Sequence, residues 1–284
     1  MPRAGTWYGR ECLEYQTAGA RLVTVPSLGG RIVSLADPAG REWLVQPTPG
    51  MIERPASASY ASIPPYGWDE LVPTIDPCTY RGRHLSDHGD AWNAVWRAEP
   101  DRLVFTDPAG RYVLSRAVLG HRAGLTLAYR LTATEPVDLL WAAHPLFLAP
   151  PGSALLLPDT ITSLVRVDTE CAEAVRAGQA AVLPEQLPAG QHRKHYSWKA
   201  DRPTWAQLTA PDGAALRLDW TAETVPYLGI YAENRCFTTE QCIALEPTTS
   251  WYDTLTDTIG NGTALRAGPE TTLDWRVCIS LSVS

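Results

Sequence analysis

The sequence has no basic excess, no long apolar run and no paired-cysteine motif. Its 24 Lys and Arg against 31 Asp and Glu leave a formal charge of −7. Nucleic acids and anionic membranes call for clustered positive charge, so neither is expected as a partner. No apolar stretch approaches the roughly 20 residues of a membrane span. The opening MPRAGTWYGRECLEY lacks the apolar centre of a secretory signal. These absences point to a soluble, cytoplasmic protein. Cys12, Cys78, Cys171, Cys236, Cys242 and Cys278 are scattered, with no CxxC pair. In a cytosolic chain of this size, reduced and mostly buried thiols are the expectation. Also missing are GxGxxG, GxxxxGK[ST] and GxSxG. That removes the dinucleotide turn, the phosphate loop and the nucleophile elbow, and no cofactor is expected.

What is present reads as β-structure. Runs such as ARLVTVPSL, GRIVSLAD, GRYVLSRAVL and GLTLAYRLTAT are short and rich in Val, Leu and Tyr. Turn signals divide them: Gly29-Gly30, Pro38-Ala39-Gly40 and Pro108-Ala109-Gly110. Short strands with Gly/Pro punctuation predict an antiparallel sandwich or barrel. In GLTLAYRLTAT, Leu125, Leu127, Tyr129 and Leu131 fall on one face, and Thr126, Ala128, Arg130 and Thr132 on the other. Residues 169–187 hold helix formers for a turn or two. Residues 46–67 and 184–203, dense in Pro or polar residues, read as long loops. Neither a linker nor a repeat divides residues 1–284, which are expected to form one domain.

Polar groups interrupt apolar surroundings at four places. In WAAHPLF, His144 is the one polar residue. Alternation puts it on a face with Ala142 and Leu146, opposite Trp141 and Ala143. Pro145 withholds a backbone donor and suggests a sheet edge. Glu246 ends the run Ile243-Ala244-Leu245, where a carboxylate is costly unless paired. It reads either as a structural ion pair or as a general base tuned by burial. YGWDELVPTIDP brings Trp68, Asp69 and Glu70. HLSDHGDAWNAVW brings His84, Asp87, His88, Trp92 and Trp96. The His84/His88 spacing would suit zinc on a helix, but the Ser, Asp and Gly around it favour a loop, and no metal is expected. His192 and His195 read as a solvated surface. Tryptophan faces beside convergent polar groups suit the C–H faces of a sugar, so Trp68 and Trp92 are candidates to hold one.

Taken together, these segments resemble the aldose 1-epimerase (mutarotase) family of the galactose mutarotase-like superfamily. GGRIVSLADPAGREWL resembles that family's opening hairpin, LSDHGDAW its first histidine motif, and GLTLAYRLTATEPVDLLWAAHPLF the strand pair bearing its second histidine. IALEPTTSWYD resembles its catalytic glutamate segment, and LRAGPETTLDWRVCISLSV its closing strand. The resemblance implies an all-β fold, a large antiparallel supersandwich with few short helices. It implies Glu246 as general base, His144 as general acid, and His88 assisting at the ring oxygen or holding the sugar. A base takes the C1 hydroxyl proton while an acid protonates the ring oxygen. The open aldehyde rotates and recloses, which requires pKa values near working pH.

The family's hydroxyl-gripping aspartate has no clear match, Asp201 being a loose one. Its arginine before the first histidine is also out of place. Asp69, Arg81, Arg83 and Asp87 are the candidates to bind substrate instead. Arg81, Arg83 and Arg193 leave a phosphosugar open. The expected partner is a sugar or sugar derivative, with the protein a monomer or homodimer. Two other readings stand beside this one: a glycosidase or lyase using Glu246 with Asp69 or Glu70, and a non-catalytic sugar-binding protein.

Overall fold

The computed structural model describes residues 2–52, 58–176, 178–180 and 182–283. The Val-, Leu- and Tyr-rich runs form strands, and among the described residues these assemble into sheets of eleven and nine strands, with two further two-stranded pairs. The larger sheet starts with the hairpins of residues 3–36. It then runs through Trp68–Leu71, Ala142–Leu148, Gln241–Thr248, Tyr227–Asn234 and His192–Ser197 to Ser163–Arg166 and Ala172–Ala174. The smaller sheet is built around Tyr112–His121, Gly124–Ala133 and Thr272–Ser282. Neighbouring strands in both pair antiparallel. No helix of the described residues is long and apolar enough to cross a membrane.

The two sheets share one apolar layer. Leu125, Leu127, Tyr129 and Leu131 enter it from the smaller sheet, and Phe147, Ile230, Ile243 and Leu245 from the larger. Burying side chains of this kind stabilises by roughly 1.5–3 kcal/mol each, and that layer is the main hydrophobic contribution to the sandwich. Tyr129, Trp141 and Trp275 pack together within it, the Tyr129 and Trp275 rings stacked at 5.3 Å. Trp68 belongs to the same layer, its ring edge-on to Phe147.

Several local expectations are revised. Residues 192–197 are a strand within the larger sheet rather than loop. Residues 169–187 hold no α-helix among the described positions. Two short strands lie there, with a 3-10 turn at Pro184–Gln186 started by proline. The single α-helix of the described residues is Leu255–Gly260, capped by Thr254, whose hydroxyl accepts from the Asp257 N–H at 3.0 Å. Only Cys12 and Cys242 are buried; Cys171 is exposed, and the other three cysteines are half-buried.

Pro145 does not mark an edge. Its strand is interior, flanked by Trp68–Leu71 and Gln241–Thr248. The ladder to Gln241–Thr248 pairs Ala142 with Thr248 and Leu146 with Ala244, and is interrupted between those pairs. Pro145 and Pro247 both fall in the gap, and neither has an N–H to give. Two prolines loosen the sheet at its centre, and His144 and Glu246 stand opposite each other there.

Candidate active site

The face of the larger sheet turned away from the smaller one forms the floor of a cavity of about 640 Å³. Register decides which side chains reach it. Gly229 pairs with Glu246 and with Tyr196, and Tyr231 with Ala244 and with Lys194. One alternating set therefore includes His144, Leu146, Glu246, Tyr231, Lys194 and His192, and all six border the cavity. The other set points into the core.

Glu246 is fully buried, yet it is incompletely bonded. Lys194 Nζ lies 2.8 Å from its Oε2, an ion pair outside hydrogen-bond geometry. Its Oε1 has no hydrogen-bond partner and lies 3.7 Å from His144 Nε2, beyond bonding distance. Gly229 leaves room for this carboxylate, since a Cβ there would stand 3.0 Å from Oε2. Burial raises the Glu246 pKa above the ordinary carboxylate value, and the Lys194 ammonium holds it back. Burial works to lower the Lys194 pKa, but Asp253, 2.6 Å from Nζ, and Glu246 outweigh it and raise it, so Lys194 stays charged. Tyr196 OH donates to the same Asp253 oxygen at 2.8 Å.

His144 is buried among apolar groups and cations. Burial, followed by His88 and Lys194, holds its pKa well below the usual histidine value. It is therefore a neutral imidazole at neutral pH, not a group poised near working pH. Tyr60 OH lies 3.2 Å from Nδ1 and 3.4 Å from Asp69 Oδ2. The hydroxyl has one proton: given to Asp69, it leaves the Tyr60 oxygen to accept from Nδ1–H, and given to Nδ1, it puts the imidazole proton on Nε2, facing Glu246.

His88 completes this end. Its ring stacks on Tyr60 at 3.5 Å and stands edge-on to His144 at 5.1 Å. Its Nδ1 is 2.7 Å from Asp87 Oδ1. The loop reaches the cavity because His88 adopts φ 62° and Gly89 φ 71°. Gly89 is required there, because a Cβ would meet the Val72 carbonyl oxygen at 2.1 Å.

His144, Glu246, His88 and Asp87 thus meet at one cavity. The other candidates do not. Asp69 sits beside His144 on the same sheet face but does not border the cavity: Arg31 grips it in a buried bidentate pair at 2.6 and 2.8 Å, and Tyr60 OH lies against it. Trp68 is in the inter-sheet core. Trp92 supports the Tyr60 ring edge-on at 4.9 Å without bordering the cavity. Arg81 is 69% exposed beside Asp138, and Arg83 pairs with Asp90 at 2.7 Å; both line a separate small cleft. Asp201 accepts from the Trp198 N–H in an exposed turn. His84 lies exposed on the Arg83–Leu85 strand, with no helix to pair it with His88. Among the described residues no three His, Cys, Asp or Glu side chains are grouped to hold a metal. His192 is exposed, as expected, and stands at the rim of the cavity. His195 points the other way, fully buried, 2.9 Å from Glu173.

Tyr60, Lys194, Asp253 and Asp76 border the site without having been singled out. Lys194 carried a usable signal. It is one of only two lysines, and it falls two positions from His192 in HRKHYS, on the same face of a strand.

A buried glutamate with a bare oxygen, beside a neutral histidine under a cavity on an antiparallel sandwich, is the point at which comparison becomes informative. No protein-family model matches the chain, and no curated protein matches it in sequence. Solved structures do. Slr1438 from Synechocystis sp. PCC 6803 superposes with TM-score 0.76 at 15% identity, over 100% of this chain and 96% of that one. A galactose mutarotase-like protein from Clostridium acetobutylicum gives 0.69 at 14% identity, over 100% and 99%. A galactose mutarotase related enzyme from Lactobacillus acidophilus gives 0.69 at 13%, over 96% and 97%. The fold is the galactose mutarotase-like β-sandwich. At such identities the likeness establishes architecture, and the chemistry rests on the site itself.

Proposed function

We propose that the protein interconverts the α and β anomers of an aldose by opening and reclosing its ring. One observation carries this reading: the unbonded Oε1 of Glu246, 3.7 Å from His144 Nε2, at the floor of the cavity. O1 and the ring oxygen of a cyclic aldose are attached to the same carbon. A base and a donor that serve them must therefore stand side by side, as these two do. Glu246 takes the O1 proton. In its Nε2–H tautomer His144 donates a hydrogen bond to the ring oxygen and steadies the charge that develops there as the C1–O5 bond breaks and the C1=O1 double bond forms. The open aldehyde turns about C1–C2 and recloses as O5 attacks C1 and Glu246 returns its proton to O1. Lys194 opposes the rise that burial imposes on the Glu246 pKa and so favours its ionised form. His88, fixed by Tyr60 and Asp87, borders the same space and orients the ring.

The hydrolase alternative needs a second carboxylate across the scissile bond. Asp69 is committed to Arg31 and Glu70 to Arg116, so neither is free for that task. Anomer exchange followed by NMR on a panel of aldoses tests the proposal. Accelerated exchange with one sugar, absent in Glu246→Gln, is expected. Cleavage of a glycoside without anomer exchange would replace the proposal with the hydrolase reading.

A further inference from the structure

The cavity is larger than the chemistry at its floor requires. About 640 Å³ falls inside the range of roughly 300–1,000 Å³ that closes around a drug-sized ligand. An aldohexose, with twelve heavy atoms, is much smaller than that. The extra space follows the strands away from Glu246. Lys194 pairs with Tyr231, and His192 with Glu233, so His192 stands about 7 Å further along its strand than Lys194.

An aromatic strip lines that direction. The His144 and Tyr231 rings are 6.3 Å apart, Tyr231 and His192 5.5 Å, and His192 and Phe237 5.3 Å. Phe237 sits in the connection between Tyr227–Asn234 and Gln241–Thr248, is 46% exposed, and joins none of the apolar clusters of the core. Asp168 borders the cavity too, its carboxylate steadied by Arg166 at 2.6 Å. Val167 bonds the Lys194 carbonyl, which brings Asp168 alongside residues 192–193. Apolar ring faces next to a fixed acceptor are what a sugar ring needs, for its C–H face and its hydroxyls respectively.

Charge separates a neutral extension from an anionic one. The Lys194 ammonium is already held by Glu246 and Asp253. Asp76, which also borders the cavity, has no cation within ion-pair distance among the described residues. Arg193 borders the cavity as well, its charge acting on Asp168, and also lines a small cleft with His195. The lining carboxylates Asp76, Asp87, Asp168, Glu246 and Asp253 outnumber the cations Arg193 and Lys194, so a phosphate would enter against a net negative wall.

We infer that the substrate is a neutral aldose extended by a second sugar ring at a position other than C1, the reducing end of a disaccharide or longer chain. The second ring lies on Tyr231, His192 and Phe237. This rests on the anomer-exchange reading above.

The test compares kcat/KM for anomer exchange among a neutral aldohexose, its 6-phosphate and reducing disaccharides ending in the same hexose. One disaccharide should exceed the free hexose about tenfold, and the phosphate should fall below both. Phe237→Ala and His192→Ala should lower the disaccharide-to-hexose ratio at least threefold. A phosphate that is the best substrate overturns the inference, and so does a ratio that neither variant moves. Saturation transfer from aromatic side chains to a disaccharide bound to Glu246→Gln keeps the two claims apart. Transfer to the second ring supports the subsite even if wild-type protein exchanges no anomer. Exchange without transfer to that ring supports the activity and overturns the subsite.

Discussion

Glu70 and Glu246 are both fully buried on the larger sheet, and burial raises the pKa of both. They face opposite sides of it. Glu70 enters the inter-sheet layer and finds a full set of donors: Arg116 at 2.7 Å, Tyr129 OH at 2.8 Å and Trp141 Nε1 at 2.9 Å. Arg116 is bonded in turn by Thr24 and the Gly30 carbonyl. Glu246 faces the cavity with one ammonium and one bare oxygen. A buried carboxylate whose bonds are met inside the protein is structural. One left with capacity toward an open cavity holds that capacity for something that enters.

The sharpest way to break the contrast is to neutralise each carboxylate. Glu246→Gln should lower the anomer-exchange rate roughly 10²–10⁴-fold, the usual range for a lost general base. A raised carboxylate pKa means the native state binds its proton more tightly than the unfolded chain does. The ionised form therefore works against folding as pH rises through that value, and this variant should melt at an unchanged or higher temperature. Glu70→Ala should cost about 3–5 kcal/mol in denaturant unfolding, because Arg116 is left buried without its partner. Equal melting behaviour of the two variants would dissolve the distinction.

His144→Asn should lower kcat roughly 10²-fold with little change in melting temperature, as read by NMR exchange and a thermal melt. Lys194→Met sharpens the electrostatic side. Glu246 must be ionised to act, so activity falls as pH drops through its raised pKa. Removing the ammonium raises that pKa further, and the acidic limb of kcat/KM should move to higher pH. A limb that stays in place would remove Lys194 from the account. Tyr60→Phe is the mildest change. It takes one hydrogen bond from His144 Nδ1, worth about 0.5–1.5 kcal/mol, and should reduce kcat roughly three- to tenfold.

The sandwich was legible because strand alternation is a period-two signal and this chain obeys it, as in residues 124–133. His144 and Glu246 were legible because each is one charged or titratable group in an apolar run. What failed was the third dimension. Pro145 suggests an edge only if a proline must be excused from one ladder, whereas here Pro145 and Pro247 share one interruption inside the sheet. Asp69 and Trp68 are adjacent in sequence and point to opposite faces; Trp68 enters the core, and Asp69 shares the face of His144 but is covered there by Arg31 and Tyr60. Lys194 and Asp253 lie 59 positions apart and meet only because the His192–Ser197 segment, polar enough to read as loop, is an interior strand.

The most direct test of the account is the rate at which the wild-type protein and Glu246→Gln exchange the anomers of one neutral aldose, with both shown to be equally folded. The account predicts acceleration by the wild type and a rate at or near the uncatalysed one for the variant. Equal acceleration by both would contradict it, because the bare oxygen of Glu246 would then have no part in the chemistry.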